Sequence, residues 1–204
     1  MRRLIIILTL LFYYNCFAQT TDSTNDDIEE LEPYDSDTIL KGGYTISFKA
    51  DDSLEYLYLK KGDKIIVELS SCSRGMPYKN LGYVAADFKD YFVLAHSFGS
   101  GNPHIIELIK KINGKNSIKD WAAWIDAVVD KEYLLYSEND VPGANDKMIL
   151  LNVKTGQKKL FSFPPDIFSE PQILNRITID KLTDKELIIK YETENGVKKK
   201  KYTI

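Results

Sequence analysis

Residues 96–104 read His-Ser-Phe-Gly-Ser-Gly-Asn-Pro-His and contain both histidines of the chain. A hydrolase built there would use Ser97 or Ser100 as nucleophile and a histidine as base. Asp87, Asp90 or Asp126 would orient that base, since the chemistry needs the three groups in hydrogen-bonded series. However, Gly99-Ser100-Gly101 lacks the Gly-x-Ser-x-Gly spacing of a strand-to-helix nucleophile elbow. The same residues suit a hairpin loop, with glycines for the backbone and polar groups for solvation. The expectation is a loop that binds through His96, Ser100, Asn102 and His104, with no catalytic residue.

Metal chemistry has little material. His96 and His104 could face each other across a turn, with Asp87 as a third ligand; two solvated histidines are expected instead. Residues 138–146 are rich in oxygen donors but lack the spacing of a calcium loop. Neither a metal nor a cofactor is therefore expected. Trp121 and Trp124 would form a sugar-stacking platform if exposed, but among Ala, Ile and Val they are expected in the core. Residues 70–78 read as an exposed loop in which Arg74 and Tyr78 are the interface-type side chains. The four lysines at 198–201 fit an edge strand whose charges discourage further pairing. Cys72 is expected to be structural, as its thiol has no partner for a disulfide within the mature chain.

The elements that position these residues are strands. From Lys41 onward the chain is rich in Tyr, Ile, Val and Phe, which suit a pleated, half-buried surface. An Asp followed by strand formers recurs four times, at Asp52, Asp90, Asp130 and Asp184. Another apolar stretch lies upstream of each, at 44–48, 83–88, 123–129 and 177–179. This is a hairpin signal repeated four times, with a further strand after each hairpin. Glycine turns at Gly114 and Gly156 close the second and third units, and 62–63 and 195–196 are tight turns in the first and last. Residues 104–112 and 122–129 show helical spacing when read alone, but the repeat assigns them to strands. Twelve to fourteen strands in four antiparallel meanders are expected.

Residues 148–161 (Met-Ile-Leu-Leu-Asn-Val-Lys-Thr-Gly-Gln-Lys-Lys-Leu-Phe) resemble the outer-strand turn of β-propeller blades, where an apolar strand carrying Asp or Asn runs into a Thr-Gly turn. The resemblance implies an all-β, small propeller-like fold. A two-sheet sandwich or an open sheet stack, with one or two short helices, is the alternative. Propeller families carry unrelated functions, so it implies no activity.

The start of the chain reads as an address. Arg2 and Arg3 precede an apolar stretch at 4–14, and Cys16 and Ala18 suit cleavage before Gln19. The stretch is shorter than the ~20 residues of a spanning helix. An exported protein, periplasmic or extracellular, follows as an expectation, with no transmembrane segment in the mature chain. A lipoprotein anchored through Cys16 is the alternative. Residues 19–40 hold eight acids and no Lys or Arg, which reads as a flexible acidic leader before one β-rich domain over 41–204. A net charge of -3 gives no reason to expect nucleic acid as a partner. The leading functional expectation is a non-enzymatic exported module that binds a protein or a glycan. A secreted hydrolase using the 96–104 loop, or a periplasmic inhibitor or immunity-type protein, are the alternatives. Four meanders are few for a ring, so a homodimer in which two copies complete each other is a further expectation.

Overall fold

The computed structural model describes residues 37–99, 102–139, 146–167 and 171–204. The expected signal at 1–18, residues 19–36 of the leader, Ser100 and most of the 138–146 loop lie outside the described residues. Strand alternation and turn chemistry build the fold as the repeat predicts. The first meander is β1 (Thr38–Leu40), β2 (Tyr44–Ala50), β3 (Leu54–Lys61) and β4 (Lys64–Ser73). A four-residue helix, α1 (Tyr78–Leu81), leads into the second: β5 (Tyr83–Asp87), β6 (Tyr91–His96), β7 (Ile105–Lys110) and the short β8 (Lys115–Asn116). The third holds β9 (Ala122–Val128), β10 (Tyr133–Ser137), β11 (Lys147–Asn152) and β12 (Lys158–Ser162). The fourth holds β13 (Thr178–Leu182), β14 (Glu186–Thr193) and β15 (Gly196–Thr203). All the strand pairs within these meanders are antiparallel.

Each of the four Asp anchors lies at the turn of a hairpin: β2–β3, β5–β6, β9–β10 and β13–β14. The two ambiguous stretches are strands β7 and β9. Gly114 and Gly156 have left-handed φ values of 69° and 75°, a region that costs other L-residues energy. At Gly114 packing adds a second demand, because a Cβ there would lie 2.1 Å from Val67 Cγ1. The described residues exceed the expected strand count through two short strands, β1 and β8. β1 lies within the expected leader, and its Leu40 is buried in the core of the first meander. The exposed loop expected at 70–78 is shorter than expected: residues 70–73 finish β4, and Tyr78 opens α1.

All-β architecture is what the structure shows, arranged as a stack rather than a ring. Three cores join neighbouring meanders in chain order. Leu40, Ile46, Leu57 and Leu59 of the first pack on Phe92, Leu94 and Ile109 of the second. Val93, Ala95, Ile106 and Leu108 of the second pack with Ala122, Leu134, Tyr136, Ile149 and Leu151 of the third. Ile125, Leu135, Met148 and Leu150 of the third pack with Leu187 and Ile189 of the fourth and with Leu174 in the 3-10 turn (Pro171–Arg176) that precedes it. Successive residues on a strand point to opposite faces, so β6 serves two cores, Phe92 and Leu94 on one side and Val93 and Ala95 on the other.

Among the described residues no closed propeller or barrel forms, which corrects the ring implied by the resemblance. The reason is a junction that blades do not have. β7 pairs with β9 through Ile105↔Ala123 and Ile106↔Ala122, fusing the second and third meanders into one eight-stranded sheet. Because these two meanders also share a core, the sheet folds over on itself at that joint.

Polar ties fix the stacking. Asp87 Oδ2 accepts Lys41 N at 2.8 Å, Glu132 Oε1 accepts Lys89 N at 3.1 Å, and Asp126 Oδ2 accepts Ile179 N at 2.6 Å. Lys111 is 1% exposed. Its ammonium lies 2.6 Å from Asp87 Oδ1 and donates to Phe88 O at 2.7 Å and Lys41 O at 3.0 Å, which repays the desolvation of a buried charge. Each tie is worth on the order of 1 kcal/mol, whereas each buried Leu or Phe contributes roughly 1.5–3 kcal/mol. The cores therefore supply the stability, and the ties select how the sheets register.

Candidate functional site: a cleft at the folded joint

At the joint the outer meanders leave part of the central sheet uncovered. In β6 and β7, His96 is opposite Ile105, and Leu94 is opposite Glu107. His96, Ile105 and Glu107 thus share the face that packs against the first meander further along the strands. Trp121 directly precedes Ala122, the partner of Ile106 in β7. His96, Phe98, Ile105, Glu107, Asp120 and Trp121 line a cavity of about 300 Å³.

The cleft has two exposed aromatic walls. Phe98 is 52% and Trp121 70% exposed, which corrects the expectation that both tryptophans lie in the core. Trp121 has φ 66°, a left-handed value that is costly for a bulky residue. It immediately precedes β9, so its side chain is not bound by the strand's inward alternation. Phe98 stacks on His96 with centroids 6.5 Å apart and planes 9° from parallel.

The polar groups of the cleft are held by the sheet. His96 Nε2 is 3.3 Å from Glu107 Oε1, and Nδ1 is 3.0 Å from Asn80 O. Burial alone would lower the pKa of His96, but the Glu107 carboxylate and the Asn80 carbonyl outweigh it and hold the imidazole above its ordinary value. Both ring nitrogens face oxygen acceptors, so neither lone pair is presented to a serine. Asp120 Oδ1 accepts from Asn116 Nδ2 at 3.4 Å. Asn116 is itself anchored, its Oδ1 accepting Leu108 N and Ile118 N at 3.1 and 3.2 Å.

His104 lies on the opposite face of the sheet. It lines a second cavity of about 450 Å³ with Tyr83, Val84, Ala85, Trp124 and Asn175. The Tyr83 hydroxyl and His104 Nδ1 share a hydrogen bond, and burial together with the Lys79 ammonium lowers the pKa of the imidazole. The two histidines therefore do not converge. Among the described residues no group of three His, Cys, Asp or Glu side chains could hold a metal ion.

The other expected site residues are dispersed. Asn102 N donates to Gly99 O at 3.1 Å. Arg74 Nη1 donates to Asp51 O at 3.3 Å, at the end of the first meander. Tyr78 lies in α1, with the Lys79 ammonium 5.9 Å from its ring centroid. Two of the three acids proposed to orient a catalytic base are used elsewhere: Asp87 by Lys111 and Lys41, Asp126 by Ala127 N and Ile179 N, while Asp90 lies at the β5–β6 turn. Cys72 is half-buried, its Sγ 3.9 Å from Glu55 Oε2, and burial pushes its pKa up. The lysines at 198–201 form part of edge strand β15, with Lys198 on Asp166, Lys199 on Asp180 and Lys201 on Glu186.

Sequence reasoning missed Phe98, Glu107 and Asp120. One signal was available: Glu107 interrupts the apolar run Ile105-Ile106-Glu107-Leu108-Ile109, and a hairpin register puts it diagonally across from His96. Among the described residues no helix is long and apolar enough to cross a membrane. Compared with protein-family models, curated proteins and solved structures, the chain gives no match.

Proposed function

We propose that this chain is an exported, non-enzymatic binding module that engages its partner, a protein or a glycan, through the cleft between Phe98 and Trp121. The observation that carries the reading is Trp121, a large aromatic held 70% exposed in a costly backbone conformation beside a cavity. Folding gains nothing from that exposure, whereas an exposed aromatic over a pocket is the usual anchor of an interface. The engagement of both His96 nitrogens favours binding over hydrolysis at the 96–104 loop. The basic start and apolar stretch at 2–14 support export.

The test is a combined peptide and glycan array probed with labelled protein and with Trp121→Ala. A subset of spots should retain the parent protein and lose the variant. Equal retention of both on every spot would refute the cleft as the binding surface.

A further inference from the structure

Resting on that reading of the cleft, we infer that its occupant is a cationic side chain of a partner polypeptide, arginine in preference to lysine. The lining holds two carboxylates, Glu107 and Asp120, two exposed aromatic rings and no Lys or Arg. Among the described residues neither carboxylate forms an ion pair with a Lys or Arg. Glu107 is partly engaged by His96 at 3.3 Å, and the contact of Asp120 with Asn116 is long, at 3.4 Å. Both therefore keep accepting capacity for an incoming donor.

A guanidinium suits such a surface in two ways. Its flat face stacks on an aromatic ring, and its fork of N–H groups donates to carboxylates at the ring edge. Lysine offers a point charge without the flat face. A neutral sugar would stack on Trp121 equally well, but it would leave Asp120 desolvated with no cationic partner and Glu107 with the His96 imidazole alone. The chain's own leader is excluded as the occupant by charge: residues 19–40 carry eight acids and no Lys or Arg.

Two peptides of one sequence, one carrying arginine and the other its neutral isostere citrulline, separate charge from shape. The readout is the Trp121 indole N–H resonance of the full chain, followed by NMR during titration. Saturable shifts with the arginine peptide, at least ten-fold weaker with citrulline, are expected. Asp120→Asn and Glu107→Gln should each weaken arginine binding several-fold while the rest of the spectrum keeps its native dispersion. Raised salt should weaken it further. Equal affinity for the two peptides would overturn the cationic occupant. So would a shift induced by a neutral chitooligosaccharide but not by the arginine peptide. Either outcome leaves the cleft itself as the binding surface. No shift with any of these probes, together with an array indifferent to Trp121→Ala, would overturn both.

Discussion

The two faces of the folded joint start from similar parts and use them differently. Each offers a histidine and a tryptophan beside a cavity. On the outer face, His96 is held by a carboxylate and a carbonyl, and Trp121 projects into solvent. On the inner face, His104 is hydrogen-bonded to the Tyr83 phenol, and Trp124 is half-buried against the core shared by the second and third meanders. The difference teaches that residue type alone does not make a site. One pair has its polar and apolar demands met by the fold, whereas the other leaves an aromatic surface and two carboxylates facing solvent.

The comparison can be broken most directly at the tryptophans. Trp124→Ala should cost about 2–3 kcal/mol, less than a fully buried aromatic because Trp124 is half-exposed. Trp121→Ala should change stability by no more than about 0.5 kcal/mol. Urea unfolding of both variants checks this, and equal costs would erase the distinction between the faces.

A smaller effect of opposite sign is expected for Trp121→Gly. Glycine takes a φ of 66° without steric cost, so this variant should be more stable than Trp121→Ala by up to about 1 kcal/mol. It should still lose whatever Trp121→Ala loses in binding. A gain in stability coupled to a loss of binding is the signature of strain kept for function.

The smallest and sharpest test is titration of the two histidines by NMR. The pKa of His96 should lie above 6.5 and that of His104 below it. Glu107→Gln should lower the first and leave the second unmoved. The stability consequences run in opposite directions. A raised folded pKa makes the contribution of His96 complete below 6.5, and it fades as pH rises through the folded value. A lowered folded pKa makes the contribution of His104 present above 6.5, and it is lost as pH falls through the folded value. Accordingly, His96→Gln should destabilise more at about pH 5 than at about pH 8, and His104→Gln the reverse.

Much of the fold was legible because its rules are local. The Asp anchors, the apolar run at 91–95 and the glycines at 114 and 156 act within a few residues of each other. Their hairpins formed where the repeat placed them. The site was less legible. His96 was visible as a polar group at a strand end, but its partner Glu107 depends on the β6–β7 register. The exposure of Trp121 depends on where β9 begins, and on how the outer meanders leave the joint bare.

By itself the sequence determined an all-β chain of four antiparallel meanders, because turn chemistry and side-chain alternation are settled by neighbours along the backbone. Tertiary structure alone decided that the second and third meanders fuse through β7 and β9, that the stack of the described residues stays open, and that His96 and His104 part to opposite faces. Those outcomes rest on hydrogen bonds and packing between residues distant in the chain. Among them is the two-pair β7–β9 junction, Ile105↔Ala123 and Ile106↔Ala122, which no local preference specifies.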